Sequence, residues 1–212
     1  MHITLAHEPT QSIDAIVQAL GKAHTVTAVP VPSVESVPSA VTDMLLSNPS
    51  VVVNLLEEPY RAATVVALLK DLGVPYTGSD ARVFLLTANP LAVHRALLRE
   101  HVLVTPTPAE PHFTVTLVGT YPRLRGIVLP TCAGWMRDVM ETTARQVFNL
   151  FELRGYGRVQ FTVVQGQPVV QQVRPAFCFM QEDWLTLTLA SEPRYPQLLT
   201  DIVEHARTPH EW

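Results

Sequence analysis

The sequence predicts an α/β protein with an open parallel sheet in its N-terminal half and a second sheet in its C-terminal half. In the N-terminal half, strand-like segments alternate with helix-like segments. Near the C-terminus, apolar and polar residues alternate with a period of two on both sides of a glycine, which is typical of a hairpin. The chain has 212 residues, 47% hydrophobic and 16% charged, as expected of a folded protein. We expect two domains, at 1–105 and 106–212.

The first strand and helix of the N-terminal half are short and clear. A strand is expected at 2–6, and a helix at 11–23 has apolar residues at helical spacing. Because each strand is followed by a helix, the sheet should be parallel, with helices on its faces. The remaining elements expected in this half are a strand at 25–31, a helix at 40–47, a strand at 51–56, a helix at 60–72 and a strand at 74–77.

The C-terminal half is expected to form strands at 113–119 and 126–129, a long helix from about 133 to 153, and helices at 184–189 and 195–205. In the last helix we expect Leu198, Leu199, Ile202 and Val203 to be buried. The long helix should cover a sheet with one apolar stripe. That stripe consists of Met136, Val139, Met140, Thr143, Val147, Phe148 and Phe151.

The hairpin is expected within 154–175. Its apolar set includes Val159, Phe161, Val163, Val169 and Val173. The polar residues of both strands have even numbers. If they share a face, each even-numbered residue must pair with another even-numbered residue, which requires a loop with an odd number of residues. A three-residue loop with Gly166 at positive φ would meet this requirement. The polar face would then display Arg158, Gln160, Gln172 and Arg174 together.

The charge distribution argues against two classes of partner. The net charge is −4 and no basic stripe occurs, so nucleic acid and anionic membranes are not expected partners. A small-molecule anion or a protein remains. No apolar run approaches the roughly 20 residues that span a bilayer. The first residues have no signal-peptide pattern, so we expect a cytoplasmic protein in which Cys132 and Cys178 are free thiols.

Two motifs carry a resemblance to a known family. The segment PYTGSD at 75–80, and the pattern G-x-G-R-V-x-F followed by a hairpin and V-x-P, resemble the ATP-grasp fold of the D-alanine:D-alanine ligase family. The resemblance implies a Rossmann-like, pre-ATP-grasp N-terminal domain and a C-terminal remnant of an ATP-grasp domain. Arg158 matches the family arginine that steadies the reaction intermediate, and it is the only catalytic position that matches.

The other working positions of the family differ here. Its metal-binding Asp, Glu and Asn correspond to Gln160, Gln172 and Arg174. Neutral amides beside guanidinium groups make a poor Mg²⁺ site, because this ion prefers anionic oxygens. An Asp-Lys pair and a phosphate-binding Lys of the family are replaced by Asn89, Pro90 and His94. The resemblance therefore implies no metal site, and no cofactor is expected.

Two segments of the family are missing. The subdomain that closes over ATP would lie between residues 110 and 113, and a substrate-covering loop would lie between 130 and 133. Without a lid, water reaches a reactive acyl-phosphate. We therefore expect a catalytically inactive, ligase-like binding or assembly module. The alternative is a ligase subunit completed in trans by a partner that supplies the ATP clamp, which would use ATP and Mg²⁺.

Each ligand-binding candidate has a structural alternative. Arg158 and Arg174, with Gln160 and Gln172, could hold an anion or could form a solvated or covered sheet face. His94 could contact phosphate or could be structural. Glu57 follows a buried strand at the edge where open α/β sheets bind ligands, or it is a loop residue.

The missing clamp also predicts self-association. An open cleft would expose an apolar rim, and large bare apolar patches are unusual on monomers, so we expect a two-fold homodimer. The alternative is that residues 176–190 fold back and fill the cleft. The candidates for the rim are Phe113, Val115, Phe177, Phe179 and Trp184.

Overall fold

The computed structural model describes residues 1–105, 113–120, 123–175 and 195–207. Its first sheet is parallel and consists of β1 (His2–His7), β2 (Thr25–Pro30) and β3 (Val51–Asn54), in the order β2-β1-β3. The prediction of a strand at 74–77 was wrong, because this segment forms only a single bridge, between Val52 and Tyr76. Gly73 and Gly78 flank it at φ of 69° and 96°, and Pro75 has no N–H, so a longer ladder cannot form.

Three helices cover this sheet: α1 (Asp14–Gly21), α2 (Val37–Leu46) and α3 (Pro59–Asp71). The start of α3 is fixed by Glu58, whose carboxylate accepts hydrogen bonds from the N–H groups of Tyr60 and Arg61. The predicted order of strands and helices is therefore confirmed, with helix bounds that differ by a few residues.

Two further helices connect the sheets, α4 (Ala81–Thr87) and α5 (Pro90–Arg99). Asp80 caps α4, and Asn89 caps α5 by accepting from the N–H groups of Leu91 and Ala92. Proline at the first position of α5 suits a helix start, since its missing N–H has no intrahelical partner there. The Asn89-Pro90 pair thus begins a helix.

The second sheet is antiparallel, in the order β5-β4-β6-β7. Its strands are β4 (Phe113–Thr120), β5 (Arg123–Val128), β6 (Arg154–Val164) and β7 (Gln167–Arg174). The long helix α6 (Gly134–Leu150) packs on one face and buries Met140, Ala144, Val147 and Phe148.

Two expectations about exposure were wrong. Val139, expected in the buried stripe of α6, is 37% exposed. Val115, expected on an exposed rim, is fully buried, because it pairs with Val159 on the face that α6 covers. Phe113 packs against the same core. Phe177, Phe179 and Trp184 lie outside the described residues, so the homodimer stays a prediction.

The hairpin has the predicted shared polar face, but a bulge produces it and not the predicted loop length. Its loop has two residues, Gln165 and Gly166, both at positive φ, so the three-residue loop was wrong. The odd residue that the parity requires is Gln171, which forms a bulge: Phe161 pairs with Val170, whereas Gln160 pairs with Gln172. Val169 consequently lies opposite Thr162, on the other face of the sheet from Phe161. Val170 lies in the core at the position predicted for Val169.

The last described helix, α7 (Tyr195–Arg207), returns to the N-terminal sheet. Leu199, Ile202 and Val203 are buried as predicted, in one cluster with Ile3 and with Tyr156 of β6. The side chain of Leu198 lies outside the described residues. Because the cluster joins both sheets, the lobes share a core. The boundary at 105/106 stays a prediction, since 106–112 are not described.

Candidate functional site

The candidate site lies where the end of β3 meets the second sheet. Tyr156 is on the face of β6 that turns toward the N-terminal lobe, and its hydroxyl donates a hydrogen bond to the main-chain carbonyl of Asn54. Two residues farther along the same face is Arg158, and three residues beyond Asn54 is Glu57. The contact between Tyr156 and Asn54 therefore brings Glu57 close to the polar face of the hairpin.

Glu57 lies between two arginines. One of its oxygens is 3.8 Å from Nη2 of Arg158, and the other is 4.0 Å from Nη1 of Arg174. The two arginines are direct cross-strand partners in the antiparallel ladder. Like charges opposite each other destabilise a sheet, so the carboxylate offsets a repulsion that the hairpin itself creates. All three residues were candidates from the sequence, and the structure brings them together.

The segment that carries Glu57 is anchored on its other side. Glu8 accepts from the backbone N–H of Glu58 at 3.0 Å and from Nη2 of Arg61 at 3.1 Å. Nη1 of Arg61 donates in turn to the carbonyl oxygens of Val31 and Pro32. Glu8 and Glu58 are thus used to hold the loop and the start of α3, which leaves Glu57 to face the arginines.

The donor set does not fit Mg²⁺. Gln160 and Gln172 are cross-strand partners beside the two arginines, so the face offers neutral amides and cations. The nearby carboxylate, Glu57, is already within ion-pair distance of both arginines. Magnesium prefers hard anionic oxygens in octahedral array, and two guanidinium groups repel a dication. Among the described residues, this face therefore offers no ligands that match the metal chemistry of an ATP-dependent ligase.

A cleft of about 670 Å³ opens beside β7. Four of the six predicted residues line it: Glu57, His94, Gln172 and Arg174. Arg158 and Gln160 do not, but each is the cross-strand partner of a residue that does. The rest of the lining comes from α4, α5 and the segment around Val104, which is bridged to Val170 of β7. It is largely apolar, with Phe84, Leu91, Val93 and Val104.

His94 contributes a polar atom to this apolar wall. It lies on α5, one turn after the Asn89 cap, and its Nδ1 is buried without a hydrogen-bond partner among the described residues. Because this nitrogen has almost no accessible surface, a ligand in the cleft would contact other atoms of the His94 ring.

The apolar wall and Gln171 are the parts of the site that sequence reasoning missed. Gln171 lines the cleft because the bulge places it beside Gln172. The signal was available in the run Val169-Val170-Gln171-Gln172-Val173, where doubled apolar and doubled polar residues interrupt the period of two.

No group of three or more His, Cys, Asp or Glu side chains is placed to share a metal ion within 1–105, 113–120, 123–175 and 195–207. In those same residues, no helix combines the length and apolarity needed to cross a membrane. Cys132, also described, is a free thiol.

Comparison with known proteins gives no match by sequence and strong matches by structure. No protein-family model and no curated protein matches the chain. D-alanyl-alanine synthetase A from Vibrio cholerae superposes with a TM-score of 0.74 at 13% identity, covering 98% of both chains. D-alanine–D-alanine ligase from Aeromonas hydrophila gives 0.73 at 13% identity, covering 96% of this chain and 99% of the other.

A third match is the D-alanine–D-alanine ligase from Bacillus anthracis complexed with ATP, with a TM-score of 0.67 at 12% identity and coverage of 98% and 96%. At sequence identities this low, a structural match shows a shared fold and nothing more. The structural matches agree with an α/β fold that has a parallel sheet in its N-terminal half and an antiparallel sheet in its C-terminal half. The chain therefore has the ATP-grasp fold of the D-alanine–D-alanine ligases, in a truncated form.

Proposed function

We propose that this chain is a ligase-like binding or assembly module that does not join D-alanine with ATP. The observation that carries the proposal is the placement of Glu57 between Arg158 and Arg174. On the face where a ligase of this fold would hold its metal, the chain has a charge cluster with two cations and one anion. Such a cluster suits a small anion and disfavours a metal ion.

The distribution of lysines supports the same proposal. Phosphoryl transfer depends on positioning and on neutralising the phosphates, commonly with lysine and Mg²⁺. The chain has lysine only at Lys22 and Lys70. Lys70 pairs with Asp80 at 2.9 Å, at the start of α4, and Lys22 is the C-cap residue of α1. Neither is among the residues that line the cleft.

Three further proposals concern the partner, the compartment and the assembly of the chain. The partner is a small-molecule anion or a protein, the compartment is the cytoplasm, and the assembly is a homodimer. These remain proposals: the partner class rests on the charge distribution, the compartment on the sequence alone, and the homodimer on the apolar rim expected around an open cleft.

A phosphate-release assay tests the proposed function. The purified chain is mixed with ATP, Mg²⁺ and D-alanine, and we expect no phosphate above a protein-free control. D-alanine-dependent release that Arg158→Ala abolishes would overturn the proposal, because Arg158 is the one position that matches the catalytic residues of the family.

One observation favours a second candidate, a ligase subunit completed in trans. Arg158 matches the family arginine, and its Nη2 lies 3.8 Å from the carboxylate of Glu57, which lines the cleft. If this candidate is correct, phosphate release should begin when a separately expressed ATP-clamp polypeptide from the same genome is added. Absence of release with every such polypeptide supports the binding module.

A further inference from the structure

The charges at one end of the cleft select the sign and size of a ligand charge. Among the described residues, two arginines meet one carboxylate, so these three groups carry a net charge of +1. A monoanion neutralises it, whereas a polyphosphate would meet the Glu57 carboxylate without enough cations to offset its own charge. Arg174 is the cation best placed to bind, since it lines the cleft and its side chain is 43% exposed.

The geometry of the donors favours a carboxylate. A guanidinium presents parallel N–H groups that match the two oxygens of a carboxylate. The Glu57 oxygen is 4.0 Å from Nη1 of Arg174, at the limit of an ion pair, so a ligand that approaches more closely can displace it. His94 also lines the cleft from α5, so part of its ring can pack against a ligand, although its Nδ1 is buried and out of reach.

The rest of the cleft favours an apolar body. Phe84, Leu91, Val93 and Val104 form its wall, and its volume of about 670 Å³ lies within the roughly 300–1,000 Å³ typical of small-molecule sites. Burying an apolar chain against this wall removes it from water, which favours binding.

We propose that the cleft binds a small organic carboxylate with an apolar body. Arg174 holds the carboxylate, the wall of α4 and α5 covers the apolar part, and Glu57 competes with the ligand for Arg174. This inference deepens the proposed function, on which it rests for the absence of a metal.

Calorimetric titration with alkanoates tests the ligand class. At low ionic strength, octanoate should bind at least about tenfold more tightly than 1-octanol, which has the same chain and no charge. It should also bind more tightly than acetate, which has the charge and no chain. Equal affinities for octanoate and 1-octanol, or for octanoate and acetate, would overturn the inference. So would the absence of heat with octanoate.

Three substitutions test the assigned residues. Arg174→Gln should weaken octanoate binding by about tenfold, and Arg174→Lys by less, because lysine keeps the charge without the fork. Glu57→Gln should tighten binding by roughly threefold or more, since it removes the competing carboxylate. Arg95→Gln is the matched control: Arg95 is an exposed arginine on α5 outside the cleft lining, and its loss should leave affinity unchanged.

Affinity that is equal in the natural chain and in Arg174→Gln would refute the site, as would weaker binding in Glu57→Gln. Failure here differs from failure of the proposed function. A chain that binds octanoate and also releases phosphate from ATP contradicts the proposed function alone. A chain that neither binds octanoate nor releases phosphate from ATP contradicts the proposed ligand class and leaves the proposed function intact.

Discussion

Glu57 is the residue on which the electrostatics of the candidate site depend. Cross-strand pairing places Arg158 opposite Arg174, which is unfavourable unless an anion lies nearby. Glu57 provides that anion from a different lobe, at 3.8 and 4.0 Å. Partly exposed ion pairs with such long N–O distances contribute little to the stability of the fold. The cluster is therefore better suited to exchanging a partner than to holding the lobes together.

Gly155 should tolerate no side chain. Its φ is 73°, and a Cβ there would lie 3.0 Å from the backbone nitrogen of Gly78. Gly155→Ala should therefore lower the free energy of unfolding by more than the about 1–2 kcal/mol that left-handed strain alone costs. Gly166→Ala measures that strain alone, since φ is 79° and nothing lies within 4 Å.

Urea denaturation of these variants provides the measurement, with Gly21→Ala as the neutral control. Gly21 has neither a positive φ nor a neighbour within 4 Å, so alanine there should leave stability unchanged or raise it by roughly 0.5 kcal/mol. If Gly155→Ala costs no more than Gly166→Ala, the close approach to Gly78 has no energetic weight.

Tyr76 should make stability fall at alkaline pH. Burial, with the nearby charge of Asp80, raises the pKa of Tyr76 to about 12, despite an opposing effect of Arg154. The unfolded phenol ionises near pH 10, so the contribution of Tyr76 is complete below that pH and is lost as pH rises toward 12. Absorbance of the phenolate should show a late step that Tyr76→Phe removes and Tyr60→Phe retains. A late step that survives in Tyr76→Phe would contradict this assignment.

At the scale of single elements, Asp80 starts α4 and also pairs with Lys70. Burial raises the pKa of Asp80, but the Lys70 ammonium and the N–H of Arg82 together outweigh it and lower the pKa. The stability from Asp80 is thus present above the ordinary carboxyl range and is lost as pH falls through its lowered pKa.

Two substitutions separate the cap of α4 from the ion pair. Asp80→Asn should keep the cap and flatten the acid dependence of stability, whereas Asp80→Ala should also cost about 1 kcal/mol at neutral pH. Chemical denaturation across the acid range measures both. Equal stability of the two variants at neutral pH would show that the cap contributes nothing.

The hairpin shows how far sequence alone determines an element. Alternation correctly predicted that Arg158, Gln160, Gln172 and Arg174 share a face, because the burial of the opposite face leaves no other register. It did not predict the bulge at Gln171, since an odd loop and a bulge satisfy the same parity. The two solutions differ in local backbone geometry, which the period of two does not encode.

At the scale of the whole molecule, the lobes share a core that sequence periodicity could not predict. Local patterns show which face of α7 is apolar but not which sheet it covers, and α7 packs with Ile3 of β1. The cleft was likewise hidden, because its wall comes from α4 and α5 and its polar edge from β7. The meeting of Glu57 with both arginines depends on this long-range packing.

Tyr156 should be the main polar link between the lobes. Its buried hydroxyl donates to the carbonyl of Asn54 and lies 3.5 Å from Oγ1 of Thr77. Tyr156→Phe should lower the free energy of unfolding by about 1–3 kcal/mol, because it leaves the buried carbonyl oxygen of Asn54 without that donor. Tyr60→Phe, at an exposed position, is the control for the same chemical change. Equal unfolding midpoints in the two variants would contradict this role.

Manganese binding followed by electron paramagnetic resonance tests most directly whether this ligase fold has lost its metal site. Mn²⁺ stands in for Mg²⁺ and is titrated with ATP, with and without the protein. The donor set of Gln160, Gln172, Arg158 and Arg174 predicts that the protein leaves the signal of the Mn²⁺–ATP complex unchanged. A protein-dependent, saturable loss of signal that Glu57→Gln reverses would show a metal site and contradict a metal-free anion cleft.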